Sequence, residues 1–188
     1  MVALHWARLA AVPTDRVVVF AAPGVMGAQA IAWNAAQRMA IESDPAWSGE
    51  IHGAAKATAG LAAARAIAMI TYRSSAEFSD RFERKTGGAE HHFQVEQYLR
   101  RQGEKLIERF DSLSYYTLTQ IMDRHDLGDL VDTAHAMKQR VGTVIGVGID
   151  SDMLFLQAKS LTGSTHSPAW ACRPDTRRSP HEAGTMAS

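Results

Sequence analysis

The chain has 188 residues, 46% hydrophobic and 21% charged, with 20 basic against 20 acidic side chains. Those values exclude wholesale disorder, suit one domain with a real core, and argue against nucleic acid as the main partner. The single cysteine, Cys172, excludes an internal disulfide or a multi-cysteine zinc site; with no apolar run near the ~20 residues that span a bilayer and no secretory signal, the default is a soluble cytoplasmic protein.

Residues 1–11 have the apolar character of a short helix, which Pro13 ends. Residues 16–22 (RVVVFAA) form a β-branched run that reads as a buried strand, broken by Pro23-Gly24. A helix is expected over 28–43, where Ile31, Ala35, Met39 and Ile41 recur near helical spacing and Asp44-Pro45 stops it. The Ala-rich stretch 58–72 favours a second helix of this block. Residues 74–90 are polar and read as a partly helical, mobile connection. An amphipathic helix is expected over 93–110. Two more follow over 112–123, with Ser112 as a candidate N-cap, and over 127–137, after a break at His125-Asp126. Residues 141–149 (VGTVIGVGI) are the second buried strand. A parallel sheet with a large insertion of about five helices explains this order. Two strands alone make no self-sufficient sheet. The tail 156–188 matches neither helix nor strand periodicity and reads as disordered.

Several motifs fail on context. Gly146-Val147-Gly148 follows a strand, but Ser151 stands where a dinucleotide fingerprint needs its third glycine. Glu90, His91, His92 and Glu96 lack a second ligand pair, so a solvated helix start outweighs a metal site. Arg100-Arg101 and Arg177-Arg178 are too few for a nucleic-acid footprint.

Other stretches are more specific. QAIAWNAAQRMAI begins at Gln29, DPAW at Asp44 and GLAAARAIAMITYRS at Gly60; EQYLRRQGEKLIERFDSLSY lies within 95–115, and SDMLF begins at Ser151. In order and spacing, residues 1–155 resemble the homoserine O-acetyltransferase family, which are α/β-hydrolase-fold acyltransferases. The resemblance implies a partial α/β-hydrolase fold: core at 1–27, helical lid at 28–138, core strand and acid loop at 139–155, and an out-of-family or disordered tail at 156–188. It implies acetyl transfer from acetyl-CoA to L-homoserine in methionine biosynthesis, through a Ser-Asp-His triad and a ping-pong covalent intermediate. It implies small-molecule substrates, no cofactor or metal beyond acetyl-CoA as co-substrate, no nucleic-acid or membrane partner, and a homodimer for the intact member.

Two residues carry the family's site. Asp152 matches the triad acid, just past the second strand, where it would fix the histidine tautomer and stabilise the imidazolium. Arg65 matches the substrate-binding arginine; a guanidinium can grip homoserine's carboxylate with two parallel hydrogen bonds. Tyr72 is a candidate for the same cavity, although an aromatic at helical spacing is more often core.

The chain also departs from the family. Met1-Val2-Ala3-Leu4-His5-Trp6-Ala7 matches the helix that follows the family's Gly-Gly-Ser-Met-Gly-Gly elbow, yet no Gly-x-Ser-x-Gly occurs here. Leu156 replaces a proline and no Gly-His-Asp follows; His166 and His181 lack the context of the catalytic base. The expectation is a fragment, from a shifted frame or misjudged boundaries, without acyl transfer of its own. A related acyltransferase or esterase (succinyl-CoA donor, serine or water acceptor) and a non-catalytic interaction fragment are the alternatives.

Overall fold

The computed structural model describes residues 1–9, 12–50, 57–87, 92–149 and 151–155. Residues 156–188, expected to be a disordered or out-of-family tail, lie outside the described residues. The elements run α1 (Val2–Leu9), β1 (Thr14–Phe20), α2 (Ala28–Glu42), α3 (Thr58–Thr71), α4 (Ser75–Phe82), β2 (Thr86–Gly87), β3 (His92–Phe93), α5 (Gln94–Ile107), α6 (Ser112–Asp123), α7 (Leu130–Lys138) and β4 (Val141–Val147). Both expected strands form, and six helices rather than about five separate them. The extra one is α4, within the stretch read as partly helical; Ser74 caps it by accepting the Glu77 N–H at 3.1 Å. No described helix is long and apolar enough to cross a membrane.

β1 and β4 pair in parallel from Thr14↔Val141 to Phe20↔Val147. Burial alternates from Val17 to Phe20 on β1, whereas on β4 it falls on two positions three apart. Val17, Val19, Val141 and Val144 are buried, whereas Val18, Phe20, Ile145 and Val147 stay exposed on the strands. The inward set packs with Leu4 and Ala7 of α1, with Leu127, and with Met137 of α7. Among the described residues this sheet has two strands, so each strand keeps one open edge.

A second core lies inside the helical block: Ile41, Ala57, Leu61, Ala64 and Leu106. Two glycines let its helices close up. A Cβ on Gly60 would meet the backbone of Ala40 and Ile41 at 2.8 Å, and one on Gly103 would meet the Ala62 carbonyl oxygen at 2.8 Å. Asp44 ties α2 to α3: its Oδ1 accepts from Ala46 N–H at 2.9 Å and its Oδ2 from Gly60 N–H at 2.8 Å.

Ser112 is not the cap of α6. Asp111 fills that role, accepting the Ser114 N–H at 2.8 Å, while Ser112 is buried and donates to the Ala57 carbonyl at 2.8 Å. An acidic side chain one residue earlier reaches the free amides, and the serine turns inward. Helix α7 starts three residues later than its apolar pattern suggests. Gly128 takes φ +75°, and Asp129 then accepts the Val131 and Asp132 N–H groups. At the start of α5, Glu96 accepts the Phe93 N–H at 2.8 Å. Glu90, His91 and the His92 side chain lie outside what is described.

Candidate functional site

Both parallel strands end on the same side, the edge where α/β sheets place their ligands. β1 is followed by Ala21, a non-glycine residue at φ +44°, whose N–H donates to the Val147 carbonyl at 2.8 Å. β4 is followed by a turn that carries Asp152. The Asp152 N–H donates to the Ile149 carbonyl at 3.1 Å. Its Oδ1 accepts from Leu154 N–H at 2.8 Å and Phe155 N–H at 2.9 Å. The carboxylate is thus held in a fixed orientation by backbone donors, and neither of those bonds uses Oδ2.

Asp152 lines a cavity of about 340 Å³ together with Ala21, Tyr72, Arg73, Glu77 and Ile149. Arg73 and Glu77 form an ion pair one turn apart, and the Arg73 Nε–H donates to the Tyr98 hydroxyl at 3.0 Å. Their charges offset one another at the rim. A second cavity of about 200 Å³ opens behind the first. The two share Thr71, Tyr72 and Leu154 as walls. The inner one has an apolar lining over a floor of buried Asn34, Gln37 and Thr119.

Polar floors need partners, and these have them. The Tyr115 hydroxyl donates to Gln37 Oε1 at 2.5 Å, and Gln37 Nε2 donates to the Trp33 carbonyl at 3.0 Å. Asn34 Nδ2 donates to Asp123 Oδ1 at 2.7 Å, and Arg38 pairs with Asp123 Oδ2 at 2.6 Å. Burial pushes the Tyr115 hydroxyl up to about 12; Tyr72 adds to the rise and Arg65 opposes it. Tyr115 therefore stays a neutral donor.

Arg65 is half-buried on α3 and lines neither of these cavities. It reaches them through Tyr72, with its guanidinium carbon 5.2 Å from the ring centre. Tyr72 is thus the common neighbour: it shares a cavity with Asp152 and carries the Arg65 guanidinium on its ring. Tyr72, set aside in the sequence as a core-like aromatic, is 55% exposed and lines both cavities. Its spacing of seven residues from Arg65, two helical turns on one face, was the available signal. Tyr115 and Gln37 left no such signal, because they meet only through the packing of α2 on α6.

Comparison with known proteins gives one consistent answer. No protein-family model matches the chain. The curated homoserine O-acetyltransferase of Leifsonia xyli is 42% identical over 181 residues, which are 90% of this chain and 45% of that protein. The curated homoserine O-acetyltransferase of Cyclobacterium marinum is 34% identical over 183 residues, which are 97% of this chain and 51% of that protein. The solved homoserine O-acetyltransferase of Staphylococcus aureus superposes with a TM-score of 0.63 at 25% identity, covering 83% of this chain and 42% of that one. Esterase E22 superposes at 0.69 with 15% identity, covering 84% and 45%, and so speaks to the fold alone. These solved structures are α/β-hydrolase-fold proteins, and this chain shares that fold in its mostly helical part and its paired strands. The chain spans about half the length of the curated relatives it matches. It is a homologue of the homoserine O-acetyltransferases.

Proposed function

We propose that this chain supplies the lid and the triad acid of a homoserine O-acetyltransferase. The intact enzyme would move acetyl from acetyl-CoA to a serine, then to the hydroxyl of L-homoserine. In that reading residues 28–138 are the lid, 1–27 and 139–155 are core, and the whole enzyme is a homodimer. The observation that carries it is the Asp152 turn. One carboxylate oxygen is pinned by two backbone N–H groups at the end of β4, inside a cavity walled by Tyr72.

Each role follows from chemistry. Asp152 Oδ2 is available to accept from a histidine Nδ1–H, fixing the tautomer that lets Nε2 take the nucleophile's proton. Arg65 supplies a fixed positive charge for the acceptor's carboxylate, steadied by the face of Tyr72. The lining of the inner cavity carries no charged side chain, which suits an uncharged acyl group. A 188-residue chain without Gly-x-Ser-x-Gly has no elbow serine to acylate, so the polypeptide alone turns nothing over.

The test is a graft. Residues 1–155 replace the matching stretch of the Leifsonia xyli relative, and coenzyme A release is followed with acetyl-CoA and homoserine. Release that depends on homoserine supports the reading. Asp152→Asn in that graft should lower kcat by about 10⁴-fold. Faster release with succinyl-CoA, with serine, or with water alone would reassign donor or acceptor. A graft that folds and releases nothing would overturn it, as would turnover by the ungrafted chain.

A further inference from the structure

His125 is 5% exposed, and both of its ring nitrogens are engaged. Its Nε2 lies 2.8 Å from the Pro23 carbonyl oxygen, and its Nδ1 lies 3.1 Å from Nε2 of His5. A carbonyl only accepts, so His125 Nε2 carries the proton. Neutral His125 then presents a lone pair at Nδ1, and the His5 Nε2–H donates to it. The two rings meet edge to face, with centroids 5.0 Å apart and planes at 86°.

The pair sits where the chain crosses between its two layers. Residues 21–27 lead from β1 into the helical block, and residues 124–129 lead out of α6 towards α7 and β4. The Met26 N–H donates to the His125 carbonyl at 2.9 Å, and the Leu127 N–H donates to the Gly24 carbonyl at 3.0 Å. Val25 and Asp126 form an antiparallel bridge between them. His5 adds α1 to this junction. The first turn of α2, just past the first crossing, also reaches the Asp152 turn, because Gln29 Nε2 donates to the Met153 carbonyl at 3.2 Å.

We propose that His5 and His125 form a proton-operated clasp between the sheet layer and the helical block, closed with at most one proton added to the pair and opened by the second. The first proton does no harm. A proton added at His5 Nδ1 leaves its Nε2–H donating to His125. The second sets N–H against N–H and two like charges against each other beside the buried His125 ring.

The surroundings reinforce this. Burial holds His125 below its ordinary 6.5; His5 and the Met1 amino group add to that, while the Pro23 carbonyl and Asp126 work the other way. His5 faces it from α1, the Met1 amino group from just ahead of α1, and Asp126 from its own connector. The Pro23–Met26 crossing brings no titratable side chain. A histidine with a depressed folded pKa contributes its full stability above 6.5 and loses it as pH falls towards the folded value. The clasp does not depend on the acyl-transfer reading.

Hydrogen exchange on the 188-residue chain tests it, at about pH 7.5 and about pH 5, corrected for the intrinsic pH dependence of exchange. The Met26 and Leu127 amides should open about tenfold more often at the lower pH, while Ala64 and Ala68 inside α3 keep their protection. His125→Gln keeps a donor for Pro23 and cannot titrate, so its protection should be independent of pH. His125→Phe fills the space without either bond, and should be open at Met26 and Leu127 at both pH values. Four results would overturn the clasp: unchanged protection in the unsubstituted chain, acid opening that survives in both variants, simultaneous loss at every amide, or no protection at either pH.

Discussion

The Arg65 guanidinium carbon stands 5.2 Å from the centre of the Tyr72 ring, two turns along the same face of α3. The arginine is therefore pre-positioned rather than free to sweep solvent. In the grafted enzyme Arg65→Ala should raise KM for the amino-acid acceptor about 30–100-fold, the worth of a charge-assisted pair. Arg65→Lys should recover only part, because an ammonium neither stacks nor forks. Tyr72→Phe keeps the platform and should change KM less than threefold or so. Steady-state kinetics at saturating acetyl-CoA would separate the three.

Asp44 spans two helices with one carboxylate. The Gly60 N–H, then the Ala46 N–H, hold it below its ordinary 3.8. A carboxyl with a depressed folded pKa gives its stability above 3.8 and loses it as pH falls through the folded value. Asp111 is depressed by its bonds to Ser114 and titrates in the same acid window. Asp44→Ala should cost about 1–2 kcal/mol at neutral pH, measured by urea unfolding. The gap to the unsubstituted chain should narrow below about pH 3.8, as that chain loses the charged acceptor the variant already lacks.

Gly103 should not tolerate a side chain. Its missing Cβ would press on the carbonyl oxygen of Ala62 at 2.8 Å and its Cβ at 3.0 Å, and that is rigid helix backbone. Gly103→Ala should destabilise by about 1–3 kcal/mol despite alanine's better helix propensity. Gly87, whose added Cβ would approach no atom closer than 3.6 Å, is the control and should change little as alanine.

Tyr115 gives an alkaline signature. Its folded pKa is raised to about 12 from 10.0, so its contribution is whole below 10 and lost as pH rises towards 12. Absorbance of tyrosinate should show one of the four tyrosines titrating last. In Tyr115→Phe that last step should vanish, with a loss of about 1 kcal/mol for the bond to Gln37.

Much of this was legible in the order of residues. Periodicity alone located both strands and most helices, because apolar repeats of two and of 3.6 leave different marks. The short α4 hid because its eight residues carry few apolar positions, and its cap, Ser74, is one residue type among many in a polar stretch. The position of Asp152 just past β4 was legible, since the strand before it fixes its edge of the sheet. Tyr72 was not, because helical spacing says which face a residue shares but not whether that face meets core or cavity. The His5–His125 contact joins residues 120 positions apart, which no local pattern records.

The pairing of β1 with β4 has a consequence in time. Thr14 must wait for Val141 before the sheet can close, a separation of ~125 residues. At roughly 5–20 residues per second, a ribosome leaves β1 without its partner for about 6–25 s. During that interval the edge of β1 that β4 will cover lies open, and any other strand edge will serve. The helical block, by contrast, is built of neighbours in sequence and can fold as it emerges. The chain is thus safest late in its synthesis and most exposed to misassembly in the middle of it.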